Sequence, residues 1–249
     1  MVVRALRERV TPVQFRVPRH LIQLVYKIKI FMHNYNEPNI KKIKIPKAKR
    51  AFDIVVSAFL LTVLSPVFAV ILFAIFIEHI LSGNIFASLF YVETRISQGK
   101  PFNFVKFNIF HPEAIEAMQS HGQFIHTKVL EHSKNGLSKV GHIAQQIYLD
   151  ELPQLFNVLK GNLSMVGPRP VNTVNYQKIL NSGITTKAEI KAGLTGNYQS
   201  HKGEEGISQD KLDRDYINFC LNNYSFKIVL LDIKILLRTL IIIFKAEGI

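Results

Sequence analysis

From Ile54 to Ile77 the chain runs for 24 residues without a charge, and nothing else in it constrains the fold as much. At a rise of about 1.5 Å per residue, one helix of that length reaches across a hydrocarbon core of roughly 30 Å, so a plain transmembrane helix is the first expectation. Ser65-Pro66 interrupts the run, however, leaving 11 uncharged residues on each side. A proline inside a helix removes a backbone hydrogen bond and bends the axis. Each half then reaches only about 16 Å, roughly one leaflet. The alternative is a re-entrant helix that enters and leaves on the same face, with the Ser65 hydroxyl satisfying backbone groups freed at the bend.

Charge placement adds a direction. The formal charge of +13 accompanies a positive mean hydropathy of +0.15, and the excess is uneven. Residues 1–50 hold 13 Lys or Arg against Glu8 and Glu37, whereas everything after residue 77 holds 18 basic against 15 acidic residues. A basic arm suits either nucleic acid or an anionic lipid surface. No nucleic-acid-binding motif accompanies it and the apolar run follows it, so lipid is the expected partner and nucleic acid is not. Lys41, Lys42, Lys44, Lys47, Lys49 and Arg50 form a dense approach to the apolar run, which by the positive-inside rule places residues 1–48 on the cytoplasmic side. The first residues show no secretory pattern. A lone Cys220 forbids an intramolecular disulfide and suits a reducing compartment, and the histidines, among them His121, His126, His132 and His142, lack zinc spacing.

The chemistry concentrates between Leu149 and Pro170. Leu152, Leu155, Phe156 and Leu159 recur at helical spacing, Pro153 is tolerable only in a first turn, and Lys160-Gly161 is a common helix stop. Asp150 and Glu151 are thereby expected at a helix N-terminus, where unpaired N–H groups and the dipole favour anions. Two readings stand: an N-cap with a solvated first-turn acid, or a nucleophile beside a metal ligand. Arg169, between Pro168 and Pro170, is either a surface loop residue or a rigidly presented fork for phosphate.

Together these residues closely resemble the signature of the bacterial sugar transferases, the monotopic phosphoglycosyl transferases, and the resemblance runs from about Lys49 to Lys245. It implies that Asp150 attacks the β-phosphate of a nucleotide-diphosphate sugar, with UDP as the expected nucleotide, to form a covalent phosphosugar-enzyme. Polyprenol (undecaprenyl) phosphate then takes the phosphosugar, initiating exopolysaccharide, capsule, O-antigen or glycoprotein glycan assembly. It further implies Mg²⁺ at Glu151 and a phosphate contact at Arg169. Lys49, Arg50, Asp53 and the Ser65-Pro66 break match the family's re-entrant helix. A full crossing would put Asp150 outside the cell, where no nucleotide sugar is supplied, so the re-entrant form is the one expected.

Aromatic and β-branched runs on either side of Ser97–Pro101 read as a β-hairpin over Phe86–Phe110. Glu93, Arg95, Gly99-Lys100-Pro101-Phe102 and Lys106-Phe107 resemble the family's segment, which implies phosphate contacts at Arg95 and Lys106. Asn108 stands where the family usually has arginine, the turn is one residue short, and His142–Ile147 lacks the family's basic residues. These losses motivate a rival reading, a catalytically impaired member that scaffolds a polysaccharide assembly complex. Helices are expected over 112–123 and 171–184 and a loop over 128–141. Ala192–Gly196 with Gln199 matches the family's proline-glycine-leucine-threonine-glycine loop, apart from Ala192, and suits either phosphate approach or a tight turn. Gln209–Asn222 reads as a polar helix whose Asp210, Asp213 and Asp215 form a solvated face.

In the last segment Lys227, Lys234, Arg238 and Lys245 fall 7, 4 and 7 residues apart, one narrow stripe on an otherwise apolar helix. That suits either an interfacial membrane helix or a core helix with one wet edge. The whole is expected to be α with a small β element (α+β), membrane-associated and monotopic, at the cytoplasmic face of the bacterial inner membrane. Residues 1–48 form a basic arm, 49–80 the re-entrant helix, 81–224 the cytoplasmic catalytic domain and 225–249 the interfacial amphipathic helix. Its partners would be a nucleotide sugar, polyprenol phosphate, anionic lipids, and a second copy or an assembly complex.

Overall fold

A computed structural model describes residues 40–83, 87–111, 136–146, 148–202 and 204–244. The chain divides into two compact units, Met1–Asn39 and Ile40–Ile249, and the described residues all belong to the second. The arm before Ile40, the helix expected over 112–123 and Lys245 lie outside them.

The apolar run forms two helices, α1 (Lys47–Val63) and α2 (Ser65–Leu81), which meet at Leu64 with a bend of 60°. Pro66 occupies the second position of α2, where a missing N–H costs little, so the break falls just before Ser65-Pro66 rather than on it. The Ser65 hydroxyl donates to the Thr62 carbonyl (2.8 Å), the group four residues before Pro66 that proline cannot satisfy. Among the described residues no single helix is long and apolar enough to cross a membrane; this bent pair meets the criterion only together.

Strands β1 (Phe90–Ser97) and β2 (Lys100–Phe107) form the expected hairpin, closed by Gln98 and Gly99 with φ of 51° and 74°. Two positive-φ residues give the tight turn whose twist matches the strands. Next come helix α3 (Lys139–Gln146), a 3₁₀ turn (Leu149–Glu151), helix α4 (Gln154–Leu159) and strand β3 (Ser164–Val166). Strand β4 (Val171–Asn172) joins the antiparallel sheet in the order β2-β1-β4, and β5 (Gly193–Thr195) pairs in parallel with β3. Helices α5 (Thr173–Asn181), α6 (Thr186–Glu189), α7 (Gln209–Asn222) and α8 (Ser225–Phe244) complete an α+β fold with a small β component.

Three local expectations need correction. The helix expected from Val171 starts at Thr173, because the Asn172 side chain accepts the Asn175 N–H and caps it, freeing Val171–Asn172 to pair with β1. Lys139–Gly141 is helical rather than loop; Gly141 lies so close to the Ile109 carbonyl that any Cβ there would stand 2.3 Å from its oxygen. Asp213 does not belong to a solvated face: it is buried and ion-paired with Lys187 at 2.6 Å.

Two apolar clusters form the interior. One gathers Phe104, Leu155, Val158, Met165, Ile217 and Ile235, with Val56, Leu60 and Leu61 of α1 packed on it. The other gathers Ile71 and Ile75 of α2 with Phe107, Ile109, Phe110 and Leu137. Leu152 touches both, so the turn that carries Asp150 and Glu151 is wedged between them. Helix α8 shows three faces: Ile228, Asp232 and Ile235 are buried, Lys227 and Lys234 line an exposed edge, and Phe226, Leu230, Leu237, Leu240 and Ile241 remain exposed.

Candidate active site

Asp150 and Glu151 do not open an α-helix; they form the 3₁₀ turn before it, led in by Tyr148 at φ 57°. A bulky side chain in the left-handed region is uncommon and persists only where the surroundings over-determine it. Here they do: Leu149 is packed in one apolar cluster and Leu155 in the other, leaving the two acids between to face the cations. Beyond the turn, Arg50 donates to the carbonyls of Val158 (2.7 Å) and Leu159 (2.7 Å), capping α4, and Gly161 at φ 81° ends it. The Asn157 amide donates to Asn103 O (2.8 Å) and its oxygen accepts from Val105 N (3.4 Å), docking α4 on the open edge of β2.

That docking brings β2 to the acids. Lys106 Nζ lies 3.3 Å from Asp150 Oδ2 and 3.3 Å from Glu151 Oε1, and Arg169 Nη2 lies 2.6 Å from the same Glu151 oxygen. Asp150 and Glu151 are only 2% and 8% exposed, whereas the Arg169 side chain is one-third exposed. Arg95 stands behind: it pairs with Glu93, donates to Pro170 O at 3.4 Å and stacks 4.0 Å over the Phe104 ring. The structure thus gathers Asp150, Glu151, Lys106 and Arg169 in direct contact and joins Arg95 to them through Pro170. Ser65 and Pro66 lie apart, at the helix bend, both exposed.

Burial alone would raise the Glu151 carboxyl, but Arg169, Lys106 and Arg95 outweigh it and hold the group well below the usual carboxylate range. Glu151 in turn raises the already high Arg169 guanidinium. A carboxyl depressed on folding adds stability that is fully present above its ordinary value of 4.5 and is lost as pH falls below it. A Glu151→Gln variant lacks this contribution. Thermal melts of the two proteins from about pH 7 to about pH 3 are expected to keep a constant gap above 4.5 and to converge below it; parallel curves would contradict the ion-pair account.

Arg169 is held by the sheets on both sides of it. Gly167–Pro170 connects β3 to β4, and β4 is pinned beside Arg95 and Ile96. Gly167 N donates to Thr195 O (2.9 Å) and Gly193 N donates to Pro168 O (3.0 Å). A Cβ on Gly193 would stand 2.1 Å from Gly167 N, and one on Gly196 2.2 Å from Gly167 O. The stretch read as a glycine loop is largely strand β5 rather than a tight turn, and its glycines serve close packing: Gly193 and Gly196 let two backbones meet, and so fix the turn that carries Arg169.

Asp232 and Tyr216 belong to no sequence motif of the site, and they join Lys49 and Asp53, which the re-entrant-helix resemblance does single out. Lys49, Asp53, Asp232 and Tyr216 are all buried. Lys49 Nζ donates to Asp232 Oδ2 (2.5 Å) and Val166 O (3.1 Å), and the Tyr216 hydroxyl lies 2.8 Å from Asp232 Oδ1 and 3.2 Å from Val166 O. Asp53 accepts from Ser164 Oγ (2.8 Å) and Met165 N (3.0 Å). Asp232, the one acid in α8, is the available signal. Asn108 is used structurally, its amide donating to Ser88 O at 2.8 Å. Lys202 Nζ lies 3.0 Å from the Tyr148 hydroxyl, which puts a cation beside the lead-in to the acid pair.

Among the described residues no three His, Cys, Asp or Glu side chains gather as a metal cage. Mg²⁺ needs less, since it is commonly held by one or two carboxylates together with substrate phosphates. The ion pairs of Glu151 with Lys106 and Arg169 both fall on Oε1, and a carboxylate with its second oxygen outside those pairs is chemistry that fits such an ion.

The sequence profile described as bacterial sugar transferase matches residues 45–246. The sugar transferase EpsL of Bacillus subtilis is 35% identical over 205 residues, covering 81% of this chain and 89% of the relative. The UDP-glucose:undecaprenyl-phosphate glucose-1-phosphate transferase of Klebsiella pneumoniae is 31% identical over 198 residues, 77% of this chain but only 39% of that longer protein. The exopolysaccharide production protein ExoY of Rhizobium meliloti is 29% identical over 161 residues, covering 61% of this chain and 68% of the relative. With the profile spanning most of its length and EpsL matched almost end to end, the chain belongs to the bacterial sugar transferase family.

Proposed function

We propose that this protein transfers a sugar-1-phosphate from a nucleotide-diphosphate sugar, a UDP-sugar, to polyprenol (undecaprenyl) phosphate through a covalent intermediate on Asp150. The observation that carries the reading is the set of Lys106, Asp150, Glu151 and Arg169: two carboxylates bridged by Lys106, with Arg169 paired to Glu151. The Asp150 carboxylate attacks the β-phosphorus, a P–O bond forms, and the bond to the nucleoside monophosphate breaks with its electron pair leaving on that product. A phosphate oxygen of the carrier then attacks the same phosphorus. The acyl-phosphate bond breaks, Asp150 is regenerated as a carboxylate, and polyprenyl-diphosphate sugar departs.

Each cation has a task in this scheme. Lys106, at Asp150 Oδ2, orients the nucleophile, and the guanidinium of Arg169, held at Glu151 on a partly exposed side chain, receives charge from the diphosphate. Mg²⁺, when held by Glu151 together with substrate oxygens, supplies further neutralisation of the diphosphate. Asn108 and the uncharged 142–147 segment do not strip the site of charge, because Arg95, Lys106 and Arg169 reach it from β1, β2 and the Gly167–Pro170 turn. This favours catalysis over a purely scaffolding role.

Membrane placement belongs to the same proposal. The bent pair α1–α2 dips into the cytoplasmic leaflet of the inner membrane, α8 lies in the interface on its exposed apolar face, and Lys227 and Lys234 sit at phosphate level. The carrier lipid then never leaves the bilayer to reach Asp150. Incubation with a panel of UDP-sugars and Mg²⁺, without carrier, is expected to add a phosphosugar mass to the peptide containing Asp150 and to release UMP. Neither product from any donor would overturn the enzymatic reading in favour of the scaffold.

A further inference from the structure

Where α1 begins, cations from distant parts of the chain gather. Arg50 and Lys191 flank one glycine: a Cβ on Gly161 would stand 3.3 Å from Arg50 Nη2 and 3.9 Å from Lys191 Nζ. Arg50 donates to the Val158 and Leu159 carbonyls and Lys191 Nζ to Gly161 O, and each keeps further N–H donors beyond these. Around them stand Lys160, which precedes Gly161, Lys47 in the first turn of α1, and Lys100 at the start of β2. All three are exposed, and among the described residues none of them has a carboxylate partner. The hairpin reaches this corner because Gln98 Nε2 donates to Ile43 O (2.7 Å) and Glu189 O (3.1 Å), tying its turn to the segment that leads into α1. The nearby acids are engaged elsewhere: Asp53 accepts from Ser164 Oγ and Met165 N, and Glu189 pairs with Arg214 at 2.7 Å. Burial, with Arg50 and Lys100 alongside, pushes the Lys191 ammonium below its ordinary value, and Asp53 offsets this only in part. An anion placed among these cations relieves their mutual repulsion.

We propose that Arg50 and Lys191, rimmed by Lys47, Lys100 and Lys160, hold the phosphate of an anionic phospholipid at the point where α1 enters the leaflet. The inference rests on the membrane placement proposed above and adds a headgroup-selective contact to it. The neighbouring surface decides the occupant. One turn beyond Arg50 the outer side of α1 becomes apolar, with Ile54, Val55, Phe59 and Val63 exposed. A phospholipid presents charge and then hydrocarbon in the same order. A soluble anion would satisfy the cations but has nothing to lay on the apolar residues. Neither the donor's diphosphate nor the carrier's phosphate fits, since both must reach Asp150, and Lys160 lies about 15 Å from it along the helix. Because Arg50 also caps α4, a lipid held here sets α1 and the helix behind the acid pair at one depth.

The test titrates full-length protein in a neutral detergent with phosphatidylglycerol, phosphatidylcholine or inorganic phosphate, following the rise in Tm that a ligand of the folded state produces. Phosphatidylglycerol is expected to act saturably and less well as salt is added, whereas the other two have no effect at the same concentration. Lys100→Glu/Lys160→Glu should weaken phosphatidylglycerol at least tenfold, with Lys100→Gln/Lys160→Gln between it and the wild type. Phosphosugar adduct formation from the donor should be equal in all three proteins, because neither lysine touches the acid pair. Unchanged affinity in the charge-reversed protein overturns the seat, and so does inorganic phosphate that binds as tightly as the lipid, which makes this a soluble-anion site. Retention in phosphatidylcholine nanodiscs, expected of every variant, reads the membrane placement separately. Loss of the wild type from them would overturn that placement, with the titration still deciding whether the cations select a lipid.

Discussion

Asp150→Asn is expected to abolish turnover, by about 10⁴-fold or more, and to prevent the phosphosugar adduct altogether. Asparagine keeps the shape of the side chain and an oxygen that can still accept from Lys106, which now stands 3.3 Å from Asp150 Oδ2. It lacks the anionic oxygen that forms the new bond to phosphorus. Folding should survive, because Lys106 retains Glu151 at 3.3 Å as a counter-charge. The substitution also removes one negative charge from the pocket, so the diphosphate donor should bind at least as well. UMP release, adduct mass and donor affinity, measured together, separate this from general damage. A near-normal rate with the amide would mean that another group is the nucleophile.

How much of this was legible beforehand depends on the range of the forces involved. The hairpin, the helix bend, the Gly161 stop and α7 followed from local rules about turns, prolines and periodicity. Each is decided within a few residues. The acid pair and Arg169 were legible as candidates, though their contact was not: Arg169 Nη2 reaches Glu151 only because the Gly167–Pro170 turn is fixed by Gly193 and Gly196 from a distant strand. The parallel pairing of β3 with β5 left no periodic trace, since each strand has three residues. Asp213 reads as one more surface acid, and only the fold sets Lys187 against it. Long-range pairs of this kind have no signature in a single chain, and Asp232 shows the nearest substitute, a charge that a helix's apolar pattern does not explain.

Lys49→Met is expected to destabilise the protein by about 3–5 kcal/mol, because it breaks a buried ion pair and strands the partner. Lys49 and Asp232 are 1% and 0% exposed, and Nζ lies 2.5 Å from Asp232 Oδ2 and 3.9 Å from Asp53 Oδ1. Methionine fills the same volume, so the loss would be electrostatic rather than a cavity. Asp232 would keep only the Tyr216 hydroxyl, too little for a charge without solvent. A total stability of about 5–15 kcal/mol makes such a loss a large fraction, visible as a marked drop in Tm in detergent or nanodiscs. The double variant Lys49→Met/Asp232→Asn should recover part of it, since the charge on α8 is then gone and only Asp53, which still accepts from Ser164 Oγ and Met165 N, has lost its counter-ion. Activity should fall as well as stability, because Val166 O, which accepts from Lys49, immediately precedes the turn that presents Arg169. If Lys49→Met melts like the wild type, the pair holds nothing together, and the seating of α1 and α8 on β3 must come from their apolar contacts alone.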